Sequence, residues 1–578
     1  MSEKIKILVH SNYSRLVTGF GKNMKNILLA LHDSEDFEVI EAANGVQFGS
    51  DLMTPWKSYG TYPTPDILQK IKGDAAKERA ASYGYYMIDK IVEEEKPDIY
   101  LGIEDIWAFS QFENKSWWAD TKTILWTTLD SEPILDQAFH MHKNCDKMLV
   151  WATFAEKGMK KLGYDGVETI HGAIDYTDFH PLPKRERAIL REKHDISDDY
   201  VIGFVFKNQL RKSVPNLLEG FKIFKQNNPD VSAKLLLHTD WAEKNVGWDI
   251  PEYIKEKEIN PSDVLATYLC QKCGQYFLSP YDGEDKNCGC CGSEKSVKTK
   301  NSGKGVNETQ LNQIYNMMDV YCHPFTSGGQ ELPIQEAKAA GLVTLVTSYS
   351  CGLDSCEVNQ GGLPLNWNEY REPHTSFIKA TTCPNSIATN LEYVFDMPEE
   401  EKNFLLEKGK ECLDQEFAID IIIEKLKTVF HSVHKTPKKE IENKQKDTLS
   451  APDLSEMLDG EIENRILLVM PESAGDVFMT TSLLPSIKEA YPDKDIYFAT
   501  KSQFHPILTG NPYIHKVLEF HPAMENLPMM EGASRHQGYF HLCFLPHIGT
   551  QRMLDYLHQG DGDKIMFNIH SDNYNAPN

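Results

Sequence analysis

Between Pro324 and Thr347 the chain runs through Phe-Thr-Ser-Gly-Gly-Gln-Glu-Leu-Pro-Ile-Gln-Glu-Ala-Lys-Ala-Ala-Gly-Leu-Val-Thr-Leu-Val. A short apolar run, Val320-Tyr-Cys-His323, precedes it. The pattern predicts strand, glycine-rich loop, helix and strand, and so a parallel βαβ unit. Glycines let backbone N–H groups approach a ligand closely, and the helix that follows turns its positive end toward an anion. Glu336 falls about one turn into that helix, where a carboxylate can accept hydrogen bonds from paired ribose hydroxyls.

The same alternation extends along most of the chain. Ile5–His10 reads as a buried parallel strand, followed by Thr18-Gly-Phe-Gly21 and a helical pattern to about Leu31. Asp98–Ile103, Thr123–Trp126 and Lys147–Trp151 are further strands. They predict an α/β doubly wound domain over residues 1–180. A second set, Val201–Phe206, Ala233–His238, Val264–Tyr268, Val320–His323 and Val343–Thr347, predicts another over 181–431. Helical patterns at Glu399–Cys412 and Ala418–His431 close it. Residues 432–463 are polar and charged and read as a linker. Arg465-Ile-Leu-Leu-Val-Met470 then restarts a first strand, so 464–578 reads as a third Rossmann-like unit.

At 578 residues and 41% apolar content, three or four cores are affordable. The net charge of −25 argues against broad electrostatic binding of nucleic acid, though not against a local basic groove. No apolar run reaches the length of a membrane span, and Met-Ser-Glu-Lys-Ile-Lys has no apolar signal region. Twelve cysteines without such a region point to a reducing compartment. A cytoplasmic protein is expected.

Four cysteines form a metal pattern. Cys270-Gln-Lys-Cys273-Gly and Cys288-Gly-Cys-Cys291-Gly are two knuckles separated by fourteen residues. The spacing fits a zinc ribbon inserted at about 269–300, with Cys270, Cys273, Cys288 and Cys291 as ligands. Cys290 lies within the second knuckle and leaves the fourth ligand open. Four thiolates fill a tetrahedral metal, so the zinc should be structural. The insertion ends before a helix capped near Asn307, with Gln310 three residues on.

The stretch from Pro324 resembles the donor-site signature of retaining GT-B glycosyltransferases, Pro-Ser-x-x-Glu-Gly-Phe-Gly-Leu-Pro-x-x-Glu-Ala-x-Ala-x-Gly. Phe206-Lys-Asn-Gln-Leu-Arg-Lys-Ser213 resembles that family's Gly-Arg-x5-Lys loop. Lys207 falls at the Arg position and Lys212 at the Lys position, with Arg211 an additional candidate. The resemblance implies that these cations neutralise a diphosphate leaving group and that Gly328, Gly329, Glu331 and Glu336 hold the donor. The family's first motif glutamate is replaced by Gly328, with Glu331 three residues later. Gly19 and Gly21 resemble the glycine loop that approaches the donor phosphate from the first domain. Asp130 falls near a His or Asp that lines the family's reaction centre; a turn or cap aspartate is the other reading. Glu104 and Asp105 follow a neighbouring strand. His171-Gly-Ala-Ile-Asp175 with Phe179-His-Pro181 resembles the family's inter-domain junction.

Arg465–Pro485, Ala490–Tyr497 and Asn511–Val517 resemble the start of the heptosyltransferase family of lipopolysaccharide synthesis. There Asp476 would act toward an acceptor sugar. That family's nucleotide-binding half is missing, so a relic, an acceptor-binding module or an association surface, with a possible partner chain, stays open.

The resemblance implies a metal-independent transferase moving a sugar from a nucleotide-diphosphate sugar to a glycan or lipid-linked saccharide, with retention. Two alternatives are glycosylation of modified DNA bases and a catalytically silent sugar-nucleotide or glycan-binding scaffold.

Overall fold

The computed structural model describes residues 4–16, 18–243, 246–299, 305–373, 375–439, 457–461, 464–521, 524 and 539–546. Part of the expected linker (440–456, 462–463) and much of the third unit (522–523, 525–538, 547–578) therefore lie outside the described residues. The chain divides into two compact units, Met1–Glu442 and Asn443–Asn578.

The first unit holds two sheets, one all parallel and one parallel except at its edge, where β11 and β12 run antiparallel to β10. One runs in the order β3-β2-β1-β4-β5-β6-β7. Its strands are β1 (Ile5–Asn12), β2 (Phe37–Gln47), β3 (Lys57–Tyr62), β4 (Ile99–Asp105), β5 (Lys122–Thr128), β6 (Lys147–Val150) and β7 (Val167–Thr169). The other has the path β11-β10-β9-β8-β13-β14-β15, with β12 also paired to β10. Its strands are β8 (Tyr200–Val205), β9 (Ala233–His238), β10 (Val264–Cys270), β11 (Tyr276–Pro280), β12 (Val297–Thr299), β13 (Val320–His323), β14 (Val343–Thr347) and β15 (Gly362–Leu365). β8 is buried along its whole length, as expected for a strand covered by helices on both faces.

The strand order reverses between β1 and β4 in the first sheet and between β8 and β13 in the second. At such a point neighbouring loops diverge to opposite faces and leave a crevice at the strands' carboxyl ends. The loops at the second switch point are 206–213 and 324–331.

The last helix of this unit, Ile419–Lys435, places Ile422, Ile423, Leu426, Val429, Phe430 and Val433 in the first sheet's core. Their spacing of three and four makes one apolar stripe. Helix therefore continues past residue 432, where the charged composition pointed to linker. Charge marks the solvent side of a helix as readily as a loop. Beyond it, Asp146 accepts bonds from Lys438 Nζ and from Lys439 N (2.9 Å).

A two-stranded antiparallel hairpin, β16 (Trp367–Arg371) and β17 (Ile378–Thr382), follows β15. The sequence reading has no counterpart for it.

In the second unit, β18 (Arg465–Val469), β19 (Asp495–Thr500), β20 (Lys516–Glu519) and β21 (Leu542–Phe544) form a parallel sheet in the order β20-β19-β18-β21. Leu467, Val469, Tyr497 and Ala499 pack on one face, and Ile466, Leu468, Ile496 and Phe498 on the other. That is the two-residue alternation of a sheet covered on both sides.

Candidate functional site

Residues 206–213 leave β8 and turn through a short 3-10 helix, Leu210–Lys212, into the helix Val214–Asn227. Ser213, at the corner, has φ of 41°. Thr326 N donates to Arg211 O at 2.8 Å, which fixes this turn against the glycine-rich loop. Arg211 and Lys212 then both pair with Glu331, one with each carboxylate oxygen. Glu331 and Lys212 are buried. Burial opposes the charge on Glu331, but the two cations outweigh it and hold its carboxyl well below the usual range. Burial and the neighbouring Arg211 push Lys212 down to about 8, against the pull of Glu331. Burial likewise opposes Arg211, but Glu331 and Asp130 raise it. His323 Nε2 lies 3.3 Å from Glu331, and burial keeps the ring neutral, with a pKa of about 4.

Gly328 stands beside this cluster. A Cβ there would sit 2.6 Å from Glu331 Oε1 and 3.2 Å from Arg211 Nη1. The Glu331 carboxylate thus occupies the space into which a side chain at 328 would grow. Ser350, with φ of 55°, receives the Gly328 N–H at 3.3 Å, and its Oγ lies 2.5 Å from Asp130 O. Two non-glycine residues in the left-handed region, Ser213 and Ser350, therefore border one loop. Such conformations persist only where surrounding contacts enforce them.

The first domain meets this loop directly. Gly329 is packed on Thr128 at the end of β5, and a Cβ on it would be 3.0 Å from Asp130 Oδ1. Gln330 makes a pair of bonds to Gly172, accepting from its N at 2.6 Å and donating to its O at 3.0 Å. Burial and the nearby Asp105 push Asp130 up to about 6. Burial also raises Asp105, and it raises Glu104 to about 8.

Thr18 caps the helix Gly19–His32, its Oγ1 accepting from Gly21 N at 3.0 Å. Gly21 is pressed onto the Leu16 carbonyl, while Gly19 faces Leu332 at the start of the helix Leu332–Ala339. Glu336 is buried in that helix. Its Oε1 accepts from Lys22 Nζ at 2.9 Å and its Oε2 from Tyr315 OH at 2.8 Å. A narrow cavity beside it is lined by residues that include Lys22, Asn26, Phe179 and Leu332.

Arg211, Lys212, Gly328, Gly329, Glu331 and Asp130 thus converge on one point, with Gly19, Gly21 and Glu336 on its flank. Lys207 is exposed and makes no ion pair among the described residues. Asp476 belongs to the other unit, where its carboxylate accepts from Ser473 N (3.1 Å) and Ser473 Oγ (2.6 Å) in a capping box. Three contributors were missed in the sequence. Lys22 lies far from Glu336 in the chain, Tyr315 sits on the preceding helix, and Lys379 stands on the unanticipated hairpin. Its place directly after Gly21 was the one available signal for Lys22.

The four knuckle cysteines form a separate site at the sheet edge. Their ligand atoms all lie within 4.8 Å of one another. Cys270 and Cys291 Sγ are 3.8 Å apart, and Cys273 and Cys288 Sγ 3.6 Å. Metal–sulfur bonds of about 2.3 Å in a tetrahedron set sulfur atoms about 3.8 Å apart, so the donor set fits one zinc. Gly274 and Gly292, after each knuckle, have φ of 73° and 69°, which favours glycine. The ribbon is anchored by Gln310 Nε2 to Gly274 O (2.7 Å) and Tyr276 OH to Gln313 Oε1 (2.8 Å). The helix that carries both glutamines starts with a capping box, Asn307 and Gln310.

Buried Glu104 makes a pH prediction. Its carboxyl ordinarily ionises near 4.5 and in the fold near 8, so between these values the folded chain holds a proton that the unfolded chain has lost. Stability must then fall as pH rises, by up to about 1.4 kcal/mol per unit for one group. Buried His10, with a pKa lowered to about 4, acts in the opposite sense only below its ordinary 6.5. Buried Lys212 and Lys338, lowered to about 8, act in the opposite sense from about that pH upward, so the thermal midpoint should drop between about pH 6.5 and 7.5, and Glu104→Gln should flatten that slope. An equal slope in the variant would show that Glu104 does not carry it.

No protein-family model matches the chain, and no curated protein matches it. Solved structures do resemble it. HepE of Anabaena, in complex with UDP-glucose, superposes with a TM-score of 0.50 at 11% identity, over 74% of this chain and 100% of its own. Sucrose-phosphate synthase of Thermosynechococcus elongatus gives 0.51 at 12% identity, over 74% and 99%. The N-terminal domain of Candida albicans trehalose-6-phosphate phosphatase gives 0.51 at 12%, over 75% and 98%. At these identities the likeness shows the fold: an α/β chain with parallel sheets, consistent with the paired Rossmann-like domains of GT-B proteins.

Proposed function

We propose that residues 1–431 form a glycosyltransferase that uses a nucleotide-diphosphate sugar. The observation that carries the reading is the convergence of Arg211 and Lys212 on Glu331 beside Gly328 and Gly329, at the switch point of the second sheet. Fixed cations in a closed crevice stabilise the charge that develops on a departing diphosphate. The likeness to a structure solved with UDP-glucose supports the same reading. Glu331 takes the role that the first glutamate of the resembled signature has at the position of Gly328, because its carboxylate fills that space. Glu336 receives the ribose hydroxyls once Lys22 releases it.

Retention is proposed on the resemblance of the stretch from Pro324 to the donor-site signature: the nucleotide leaves and the acceptor hydroxyl enters on one face, and the leaving phosphate helps to take the proton. Asp130, partly buried with its pKa raised to about 6, faces that point from the first domain. Asp105 and Asp130 make this side acidic, which favours a neutral saccharide, free or lipid-linked, over a DNA strand. The cysteine ribbon holds a structural zinc. Residues 464–578 serve as an acceptor-binding or association module.

The test is nucleotide release from a panel of nucleotide-sugars, with Glu336→Gln and Lys212→Ala as controls. Release from one donor, lost by at least roughly 100-fold in Lys212→Ala, is expected. A folded protein that releases nothing from any donor, with or without saccharide acceptors, would favour the silent scaffold.

A further inference from the structure

The hairpin β16–β17 brings a third cation to the crevice. Ile378 N donates to Glu132 O of the first domain at 2.7 Å, and Ala380 N donates to Thr326 O of the glycine-rich segment at 2.9 Å. Tyr349 OH donates to Ile378 O at 2.7 Å. β17 is thereby clamped between loops of both domains, and the residue between its two clamped positions is Lys379. Its Nζ donates to Ser327 Oγ at 2.7 Å and to Ser131 Oγ at 3.0 Å. Ser327 adjoins Gly328, and Ser131 adjoins Asp130.

The three cations differ in what balances them. Arg211 and Lys212 share Glu331. Lys379 is partly buried, yet among the described residues no carboxylate lies within ion-pair distance of it. Two neutral hydroxyls hold its ammonium, and Asp130 feels its charge through space. Withdrawing an ammonium from water against neutral partners alone is unfavourable. A place where an anion arrives later compensates for that.

We infer that Lys379 binds an anionic oxygen of the donor at the mouth of the Gly328–Gly329 loop, and that it is a specificity-determining residue which the motifs of this chain do not contain. The inference rests on the donor-site reading above. The oxygen belongs either to the diphosphate or to a carboxylate on the sugar; the chemistry recognised is the same. The two serines orient the ammonium before the ligand arrives, and because they come from both domains they do so only when the crevice is closed.

The experiment is calorimetric titration of the full chain, and of Lys379→Ala and Lys379→Arg, with UDP, ADP and GDP, then with UDP-glucose and UDP-glucuronate. A charge-assisted bond predicts that Lys379→Ala weakens binding by roughly 10- to 100-fold and that Lys379→Arg stays within about threefold of the parent. Loss already with the nucleoside diphosphate assigns the oxygen to phosphate. Loss with UDP-glucuronate alone assigns it to the sugar carboxylate. Equal affinity of Lys379→Ala and the parent for every ligand, at equal thermal midpoints, overturns the inference and leaves the donor site standing. A parent chain that binds none of the ligands overturns both.

Discussion

Treated with a strong chelator at neutral pH, the chain is expected to release one zinc and to unfold the ribbon between Cys270 and Val297. The physical reason is the near absence of an apolar core inside the insertion. Cys270, Tyr276, Cys288 and Val297 from it are buried in the core of the second domain, with Phe277, Leu278 and Tyr281 half-buried against it, while Cys273, Cys290 and Cys291 are exposed. Backbone pairing of Cys270 with Val297 and the Gln271 N to Ser296 O bond bring the two knuckles near each other, and a metal bound by the four thiolates would hold their tips at sulfur distances of 3.6 and 3.8 Å. Binding free energy of structural zinc in isolated fingers is about 10–16 kcal/mol, and in such a site it is folding free energy. The backbone prepares the site: Lys272 N and Cys273 N point at Cys270 Sγ from 3.5 and 3.4 Å. Cys273→Ser should lose the metal and open Lys272, Lys286 and Lys295 to trypsin. Cys290→Ser should keep it, because the four sulfurs that cluster exclude Cys290. Metal content by atomic absorption and the tryptic pattern decide this. Full zinc retention in Cys273→Ser, or its loss in Cys290→Ser, would assign the ligands differently.

The damage should also travel. The helix Glu308–Asn316 holds the ribbon through Gln310 and Gln313 and holds Glu336 through Tyr315. Loosening one end of a nine-residue helix disturbs the other, so chelation should weaken nucleotide binding as well as the ribbon.

Features written locally in the chain were legible, and features made by distant pairing were not. Ala233–His238, Val320–His323 and Val343–Thr347 are strands over the residues read from their apolar, β-branched composition. The Asn307–Gln310 box is a four-residue signal. By contrast β3, Lys-Ser-Tyr-Gly-Thr-Tyr, is a polar strand beside β2, and β16, Trp-Asn-Glu-Tyr-Arg, is mostly exposed. Neither carries an apolar period, because packing on one neighbour rather than a core defines them. The site divides likewise. Glycines and cations showed themselves by spacing. That Glu331 would bridge Arg211 and Lys212, that Lys22 would cover Glu336, and that a hairpin would deliver Lys379 depends on folds of more than a hundred residues between partners, or on an element without a signal.

Gly329→Ala should abolish turnover while leaving each domain folded. The added methyl would overlap Thr128 Cβ and Cγ2 and press on Asp130 Oδ1. Thr128 is the last residue of β5 and cannot retreat without breaking its parallel pairing with Asp105. The glycine loop must move instead, and it takes part in two further inter-domain contacts: the Gln330 bonds to Gly172 and the Lys379 bridge between Ser327 and Ser131. These bonds are short and directional, so an ångström of separation removes them together. Misplacement on that scale costs about 100-fold in rate. Small-angle scattering should show a more open first unit, with the thermal midpoint close to the parent's because neither core is touched. Gly19→Ala is the matched control: it lies on the same crevice, but its nearest neighbour would be Leu332 Cδ1 at 3.8 Å, ordinary contact distance. It should scatter as the parent does, with the crevice closed. If Gly329→Ala keeps its activity, the closed approach of loop to β5 is not the reacting state. If both variants lose it equally, helix-start flexibility rather than closure governs the rate.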